Sequence, residues 1–85
     1  MSWWWLSFRD PKKPEGSSFL GVVVVQAKSM KLAMKEAWRL ECNPGGEVLG
    51  EALPPEVKIP EQYQNKLLSR TEGEELNFLI RTQFS

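Results

Sequence analysis

Alternating apolar residues predict a β-hairpin at the start of the chain. The stretch from Trp3 to Phe8 is rich in aromatic residues and ends before Pro11, which predicts a strand. The turn-forming stretch 10–18 predicts an exposed loop. Residues 19–27 are β-branched or apolar on both alternating faces, which predicts a central strand that is covered on both sides.

The alternation also assigns the side chains of the first strand to two faces. Because the side-chain period of a strand is two, we expect Trp4, Leu6 and Phe8 to face the core. The other face then carries Trp3, Trp5, Ser7 and Arg9.

A helical pattern follows from Ser29 to Cys42. Ser29 is a suitable N-cap, and neither Gly nor Pro interrupts the segment. Pro44 disfavours helical geometry at Asn43, so we expect the helix to end at or just before that residue. An apolar stripe at three- and four-residue spacing comprises Met30, Ala33, Met34, Ala37, Trp38 and Leu40. A basic stripe on another face comprises Lys28, Lys31, Lys35 and Arg39.

The segment Asn43-Pro-Gly-Gly-Glu-Val48 stops this helix and begins a third strand, which we predict over 47–53. Gly50 within it marks either a bulge or a close approach by another group. Pro54 and Pro55 end the strand.

The tail predicts two short helices. Residues 60–68 begin with a proline, which the first turn of a helix tolerates, and a second helix is expected from about Thr71 to Ile80. Both Ser69-x-x-Glu72 and Thr71-x-x-Glu74 match a capping box. We expect the tail to cover the second face of the sheet or to exchange with a neighbouring chain.

Together these elements predict an α+β fold in a single domain, 1–85. Residues 1–53 form a β-β-α-β core, a small mixed sheet with one packed helix and a right-handed crossover, and 54–85 form a short helical C-terminal tail. A domain of 85 residues buries a modest share of its surface, so its stability should depend on a few large side chains or on a partner subunit.

The charge of the chain argues against nucleic acid and membranes as partners and favours a second copy of the chain. The net charge is zero and the pI is about 6.3, so we expect binding neither to duplex nucleic acid nor to an acidic membrane. Seven basic and four acidic residues precede Asn43, a balance of +3 that leaves −3 for the rest. This polarity favours head-to-tail contact between subunits, and we expect a homo-oligomer. A single Cys and the absence of a long apolar run predict a cytoplasmic protein.

Composition also argues against catalysis. The chain has no His and one Cys, so we expect neither an enzyme nor a metal site or cofactor. Cys42 should be a packed thiol, because the negative end of a helix disfavours a thiolate. The carboxylate pairs Glu47 with Glu51 and Glu72 with Glu75 are more typical of solvated surfaces than of acid–base catalysis.

Three groups of residues are candidates for ligand binding. Trp3 and Trp5 can stack on a planar ligand, or instead be covered by the tail or a second subunit. Basic side chains can neutralise an anion, although basic stripes are common on solvated helices; they are Arg9, Lys31, Lys35 and Arg39. The turn can contact a ligand through Asn43, Gly45 and Gly46, or serve only to stop the helix.

Three strings resemble a family of short uncharacterised proteins from bacterial and phage genomes. They are Trp-Trp-Leu-Ser-Phe at 4–8, Phe-Leu-Gly-Val at 19–22 and Asn-Pro-Gly-Gly-Glu-Val at 43–48. The resemblance implies a shared core and is compatible with a phage origin, but it implies no activity. By analogy with small phage proteins, we expect a counter-defence protein that sequesters an anionic or nucleotide signalling ligand in the host cytoplasm. The alternative is an inhibitor or adaptor that binds a host protein.

Overall fold

The computed structural model describes residues 1–14 and 16–84, so Glu15 of the predicted hairpin loop lies outside the described residues. Within the described part of the chain, four strands and two α-helices form the fold, and one 3₁₀ turn covers Glu61–Tyr63. The strands are β1 (Ser2–Arg9), β2 (Phe19–Ala27), β3 (Glu47–Ala52) and β4 (Leu67–Leu68). The helices are α1 (Met30–Arg39) and α2 (Arg70–Gln83).

The strands form one sheet in the order β3-β1-β2-β4, and every neighbouring pair is antiparallel. The α+β class, the β-β-α-β core and the helical tail are confirmed. β2 and β3 run in the same direction, as a strand-helix-strand passage requires, but β1 lies between them. The sheet is therefore antiparallel between neighbours, where we expected parallel and antiparallel pairs together.

Two apolar clusters cover the two faces of the sheet. On one face, Leu6 and Phe8 of β1 and Val23 and Val25 of β2 pack with α1 through Ala33 and Ala37. The predicted core face of β1 is thus confirmed. On the other face, Val22 and Val24 pack with residues of the tail, namely Leu53, Val57, Ile59, Tyr63, Leu68, Leu76 and Ile80.

Helix α1 begins as predicted but ends earlier. The hydroxyl of Ser29 accepts a hydrogen bond from the Leu32 N–H at 3.3 Å, which confirms the N-cap. At the other end, the N–H groups of Glu41 and Cys42 donate to the carbonyls of Trp38 and Ala37, at 3.0 and 3.1 Å. This is a Schellman motif with Glu41 in the left-handed region at φ 58°. The helix therefore ends before Pro44 can act on it.

Trp38 does not join the core. It lies five residues after the buried Ala33, which rotates its side chain about 140° away from the core side of the helix. Its side chain is 63% exposed. The apolar stripe predicted from spacing is therefore wrong at this position.

The first tail helix, predicted over 60–68, is wrong beyond Tyr63. One 3₁₀ turn forms, Asn65 then takes a φ of 58°, and Leu67–Leu68 pairs with Val22 and Val23 as β4. The Asn65 N–H also donates to the carbonyl of Val24 at 3.0 Å. The open edge of β2 provides hydrogen-bond partners for the backbone of these tail residues. This tertiary pairing outweighs their local preference for a helix.

The tail covers the second face of the sheet, one of the two outcomes expected from the sequence. Leu53, Val57 and Ile59 reach this face without regular secondary structure. The side-chain amide of Gln83 accepts from the Lys58 N–H and donates to the Lys58 carbonyl, both at 2.8 Å. This pair of hydrogen bonds ties the extended tail to the last turn of α2.

The capping box of α2 uses Ser69 and Glu72. The Ser69 hydroxyl accepts from the Glu72 N–H, and the Glu72 carboxylate accepts from the Ser69 N–H, each at 3.2 Å. Lys66 lies 3.4 Å from the same carboxylate. The hydrogen bond from the Ser69 backbone, followed by those from the Lys66 and Ser69 side chains, lowers the pKa of Glu72 below its ordinary value.

Glycines allow close packing within β3, at Gly50, and just before it, at Gly46. A side chain at Gly50 would lie within 3.0 Å of Met30 and Leu6, and the register with β1 is unbroken, so the glycine marks a close approach and not a bulge. Gly45 and Gly46 have φ of 84° and 74°. A Cβ at Gly46 would overlap the carbonyl oxygen of Arg9, whereas Gly45 faces open space.

Replacing these two glycines separates backbone strain from steric overlap. We expect Gly45→Ala to lower the free energy of unfolding by about 1 kcal/mol, because alanine disfavours positive φ. Gly46→Ala should cost clearly more, because its methyl group also displaces the Arg9 backbone. Urea denaturation monitored by tryptophan fluorescence measures both. Equal losses would contradict the close approach to Arg9.

The capping carboxylate predicts a pH effect. Because the folded pKa of Glu72 is lowered, its contribution to stability is present above the unfolded pKa and is lost as pH falls through the folded value. Glu72→Gln should therefore be less stable than the wild type at neutral pH, with the gap closing as the pH falls through the ordinary glutamate pKa of about 4.3 and below it. Urea midpoints across this range measure the gap. The double variant Ser69→Ala/Glu72→Gln, which also lacks the capping hydroxyl, is the control for the cap itself. A gap that is constant with pH would contradict the assignment.

Candidate functional site

The tail covers its face of the sheet incompletely and leaves an open cleft beside Trp5. We name this depression the Trp5 cleft, and its volume is about 290 Å³. Its floor is the sheet and its wall is α2, and it is lined by Trp5, Ser7, Phe19, Val22, Arg70, Gly73, Glu74 and Asn77. The half-buried Trp5 predicted as a stacking residue is therefore part of a concave surface.

Two features of α2 shape the wall of the Trp5 cleft. Gly73 is buried, and a Cβ there would lie 3.5 Å from Val22, an ordinary van der Waals distance, so α2 packs close to β2 at this position. Arg70 is the first residue of the helix, and its guanidinium carbon lies 5.5 Å from the centroid of the Phe19 ring. This cation–π contact holds a positive charge at the mouth of an aromatic cleft.

A smaller depression continues from the Trp5 cleft to the edge of the sheet. It has a volume of about 210 Å³, shares Trp5 and Ser7, and is bounded by Leu49, Gly50 and Glu51 of β3. Leu49 is 67% exposed, which is unusual for a leucine in a strand and places an apolar side chain at the open side. The two depressions form one surface from α2 to β3.

The outer edge of β3 has no strand partner among the described residues. The Leu53 N–H donates to the carbonyl of Trp3 at 2.8 Å, which makes these opposite residues a hydrogen-bonded pair. Hydrogen-bonded and non-hydrogen-bonded pairs alternate along an antiparallel ladder. The N–H and C=O groups of Val48, Gly50 and Ala52 therefore point away from β1. This edge is available to an extended chain.

Trp3 and Arg9 lie on the same face of β1 but take different roles. Trp3 is half-buried and packs against the tail cluster, as one of the alternatives for this residue predicted. Arg9 is exposed and forms an ion pair with Glu47 at 3.5 Å. It lines a polar depression at the hairpin end, away from the Trp5 cleft lining.

The turn at Asn43 is held by internal contacts. The Asn43 side chain accepts from the Gly45 N–H at 2.7 Å, so one amide of the expected anion nest is already used. Gly46 packs against the Arg9 backbone. These contacts suit a turn that connects α1 to β3.

The basic stripe lies on the opposite side of the sheet from Trp3 and Trp5, because α1 and the tail cover different faces. Lys31 is exposed, and Lys35 and Arg39 line a depression with Lys28 and Leu32. Arg39 donates hydrogen bonds to both carboxylate oxygens of Glu36, which raises the pKa of Arg39 and lowers that of Glu36. The structure therefore does not bring the predicted indoles and the predicted cations into one site.

Other chemistry is limited in the described residues. They contain no cluster of His, Cys, Asp and Glu that could hold a metal ion. Burial raises the pKa of the Cys42 thiol, which donates to the Ala37 carbonyl at 3.6 Å. Glu72 is engaged in the helix cap. Among the described residues, no helix is both long and apolar enough to span a membrane.

Sequence reasoning missed Phe19, Leu49, Arg70 and Asn77. The capping box Ser69-x-x-Glu72 was recognised, but the helix was expected from about Thr71, one residue after Arg70. Leu49 lay within the predicted third strand, with no face assigned to it. Neither signal indicated which face of the sheet α2 would cover, so the cleft itself could not be predicted.

Searches of protein-family models, of curated protein sequences and of solved structures found no significant match to this chain. Evidence on function therefore comes from the geometry of the Trp5 cleft and the β3 edge.

Proposed function

We propose that the protein is a small non-enzymatic binding protein that takes an extended segment of a partner protein onto the edge of β3. The observation that carries the proposal is the outward direction of the backbone groups of Val48, Gly50 and Ala52. An added strand pairs with such groups through main-chain hydrogen bonds, and neighbouring pockets then select its side chains. This develops the inhibitor or adaptor alternative expected from the sequence.

The side chains beside this edge define the chemistry of the partner segment. Leu49 and Trp5 offer an apolar surface at the centre, whereas Glu47 and Glu51 flank Leu49 on the same face. Cross-strand neighbours of opposite charge stabilise a sheet. The partner segment should therefore place an apolar residue against Leu49, with Lys or Arg two positions away on either side.

A second copy of β3 is a poor occupant of this edge. Two copies aligned antiparallel with Leu49 opposite Leu49 would set Glu47 of each chain opposite Glu51 of the other. Like charges directly opposite each other destabilise a strand pair. The edge is thus better suited to a basic segment than to itself.

A proline at the edge tests this mode of binding. Ala52→Pro removes an outward N–H and leaves the hydrogen bonds to β1 intact, since edge strands tolerate proline. Peptides selected from a random display library on the wild type should carry an apolar residue with Lys or Arg two positions away on either side. Ala52→Pro should weaken their binding by about tenfold or more, measured by fluorescence anisotropy.

Ala52→Ser keeps the N–H and is the matched control. It should bind the selected peptides as the wild type does, and urea denaturation verifies that both variants are folded. Selected peptides that bind Ala52→Pro with unchanged affinity would exclude the edge as the binding surface.

A second candidate function is the sequestration of a nucleotide-like ligand, and one observation favours it. The Trp5 cleft combines two aromatic side chains, Trp5 and Phe19, with the guanidinium of Arg70. Aromatic rings stack on nucleobases, and an arginine pairs with phosphate. Such a ligand would be compatible with the counter-defence role expected by analogy with small phage proteins.

Substitutions of Arg70 and Arg39 distinguish nucleotide binding in the Trp5 cleft from nucleotide binding on the basic stripe of α1. If a cyclic or linear nucleotide quenches tryptophan fluorescence of the wild type, Arg70→Ala should weaken its binding by about tenfold. Arg39→Ala should leave binding unchanged, because Arg39 lies across the sheet and is paired with Glu36. Loss of binding in Arg39→Ala alone would move the site to α1.

A further inference from the structure

The outer faces of the two helices are chemically complementary. We define the α1 outer face as Lys31, Lys35, Trp38 and Arg39, and the α2 outer face as Glu74, Glu75 and Phe78. All of these residues are exposed, and the aromatic side chains protrude most, with Trp38 63% and Phe78 67% exposed. Each helix therefore presents an exposed aromatic residue that is preceded, one turn earlier, by charges of one sign.

The charges have the same arrangement relative to each aromatic residue. Lys35 lies three residues before Trp38, and Glu75 and Glu74 lie three and four residues before Phe78. Residues three and four apart are neighbours on a helix surface. A contact that sets Trp38 against Phe78 can therefore bring the lysines of α1 close to the glutamates of α2.

Local pairing leaves these charges available. Glu36 neutralises Arg39, so Lys31 and Lys35 provide the positive charge of the α1 outer face. Glu75 accepts a hydrogen bond from the Tyr63 hydroxyl at 3.2 Å but remains exposed. Arg81 lies three residues after Phe78, so it places a positive charge on the turn of α2 that follows the aromatic residue.

We propose that the α1 outer face of one molecule docks on the α2 outer face of a second copy of this chain. The two faces lie on opposite sides of the sheet, so each copy can donate one face and accept on the other. The net charge of zero removes overall repulsion between copies. The uneven charge along the sequence thus becomes a charge difference between two surfaces.

The contact joins two different surfaces of the chain, α1 of one copy and α2 of the next. The contact is therefore heterologous, which produces closed rings or open chains of subunits.

The contact is small, so the association should be weak and reversible. Helix α1 has ten residues and is about 15 Å long. One helix against another buries less than the roughly 1,200 Å² of a stable interface. Association should therefore increase with protein concentration and decrease with salt, which screens exposed charges.

A charge exchange between the two helices tests the proposal. Sedimentation velocity of the wild type at low salt should show oligomers that grow with concentration. Lys35→Glu and Glu74→Lys should each lower the association constant by about tenfold or more, because each creates like-charge contacts. An equimolar mixture of the two variants should restore association, because the altered α1 of one then meets the altered α2 of the other.

Lys13→Glu, a charge reversal in the hairpin loop, is the matched control and should associate as the wild type does. Circular dichroism verifies that all variants are folded. A wild type that stays monomeric at all concentrations would overturn the proposal, as would a mixture that fails to recover. Peptide binding at the β3 edge is measured separately on Lys35→Glu, which lies on α1 and outside the lining of the Trp5 cleft, and should be unchanged.

Discussion

The structure depends on covering both faces of β2. Val23 and Val25 face α1, Val22 and Val24 face the tail, and all four are almost fully buried. Full burial of a valine contributes about 1.5 kcal/mol or more, so leaving either face in water would remove a large share of a small domain's stability. A hairpin alone cannot provide this cover. Helix α1 and the tail are therefore equally necessary for the fold, although only α1 belongs to the β-β-α-β unit.

Elements with strong periodicity could be predicted, and elements created by tertiary pairing could not. The alternation in β1 and β2 and the Ser29 cap of α1 identified those elements correctly. β4 has two residues, which is too short for a periodic signal, and it forms because β2 has an open edge. The end of α1 was also hidden, because a glutamate occupies the left-handed position where glycine is usual.

The candidate site, too, could be predicted from the sequence only in part. Periodicity assigned Trp5 and Arg39 each to a face of its own element, and both assignments were consistent with the pattern. Whether those faces meet depends on which side of the sheet each element covers, and that choice carries no local signal. α1 and α2 cover opposite sides, so Trp5 lies beside Arg70 and remote from the basic stripe. The sequence could indicate the types of residue involved but not their neighbours.

The hydrogen bonds between Gln83 and Lys58 have a consequence for how the tail is organised. They close a loop of 25 residues, and loop closure of that length costs about 3 kcal/mol in chain entropy. Two exposed hydrogen bonds contribute roughly 1 kcal/mol each and cannot offset this cost alone. The apolar contacts of Val57, Ile59 and Ile80 must bring the ends together. The Gln83 amide then selects one alignment among the many that apolar side chains would allow. Its hydrogen bonds therefore contribute more to the uniqueness of the folded arrangement than to its stability.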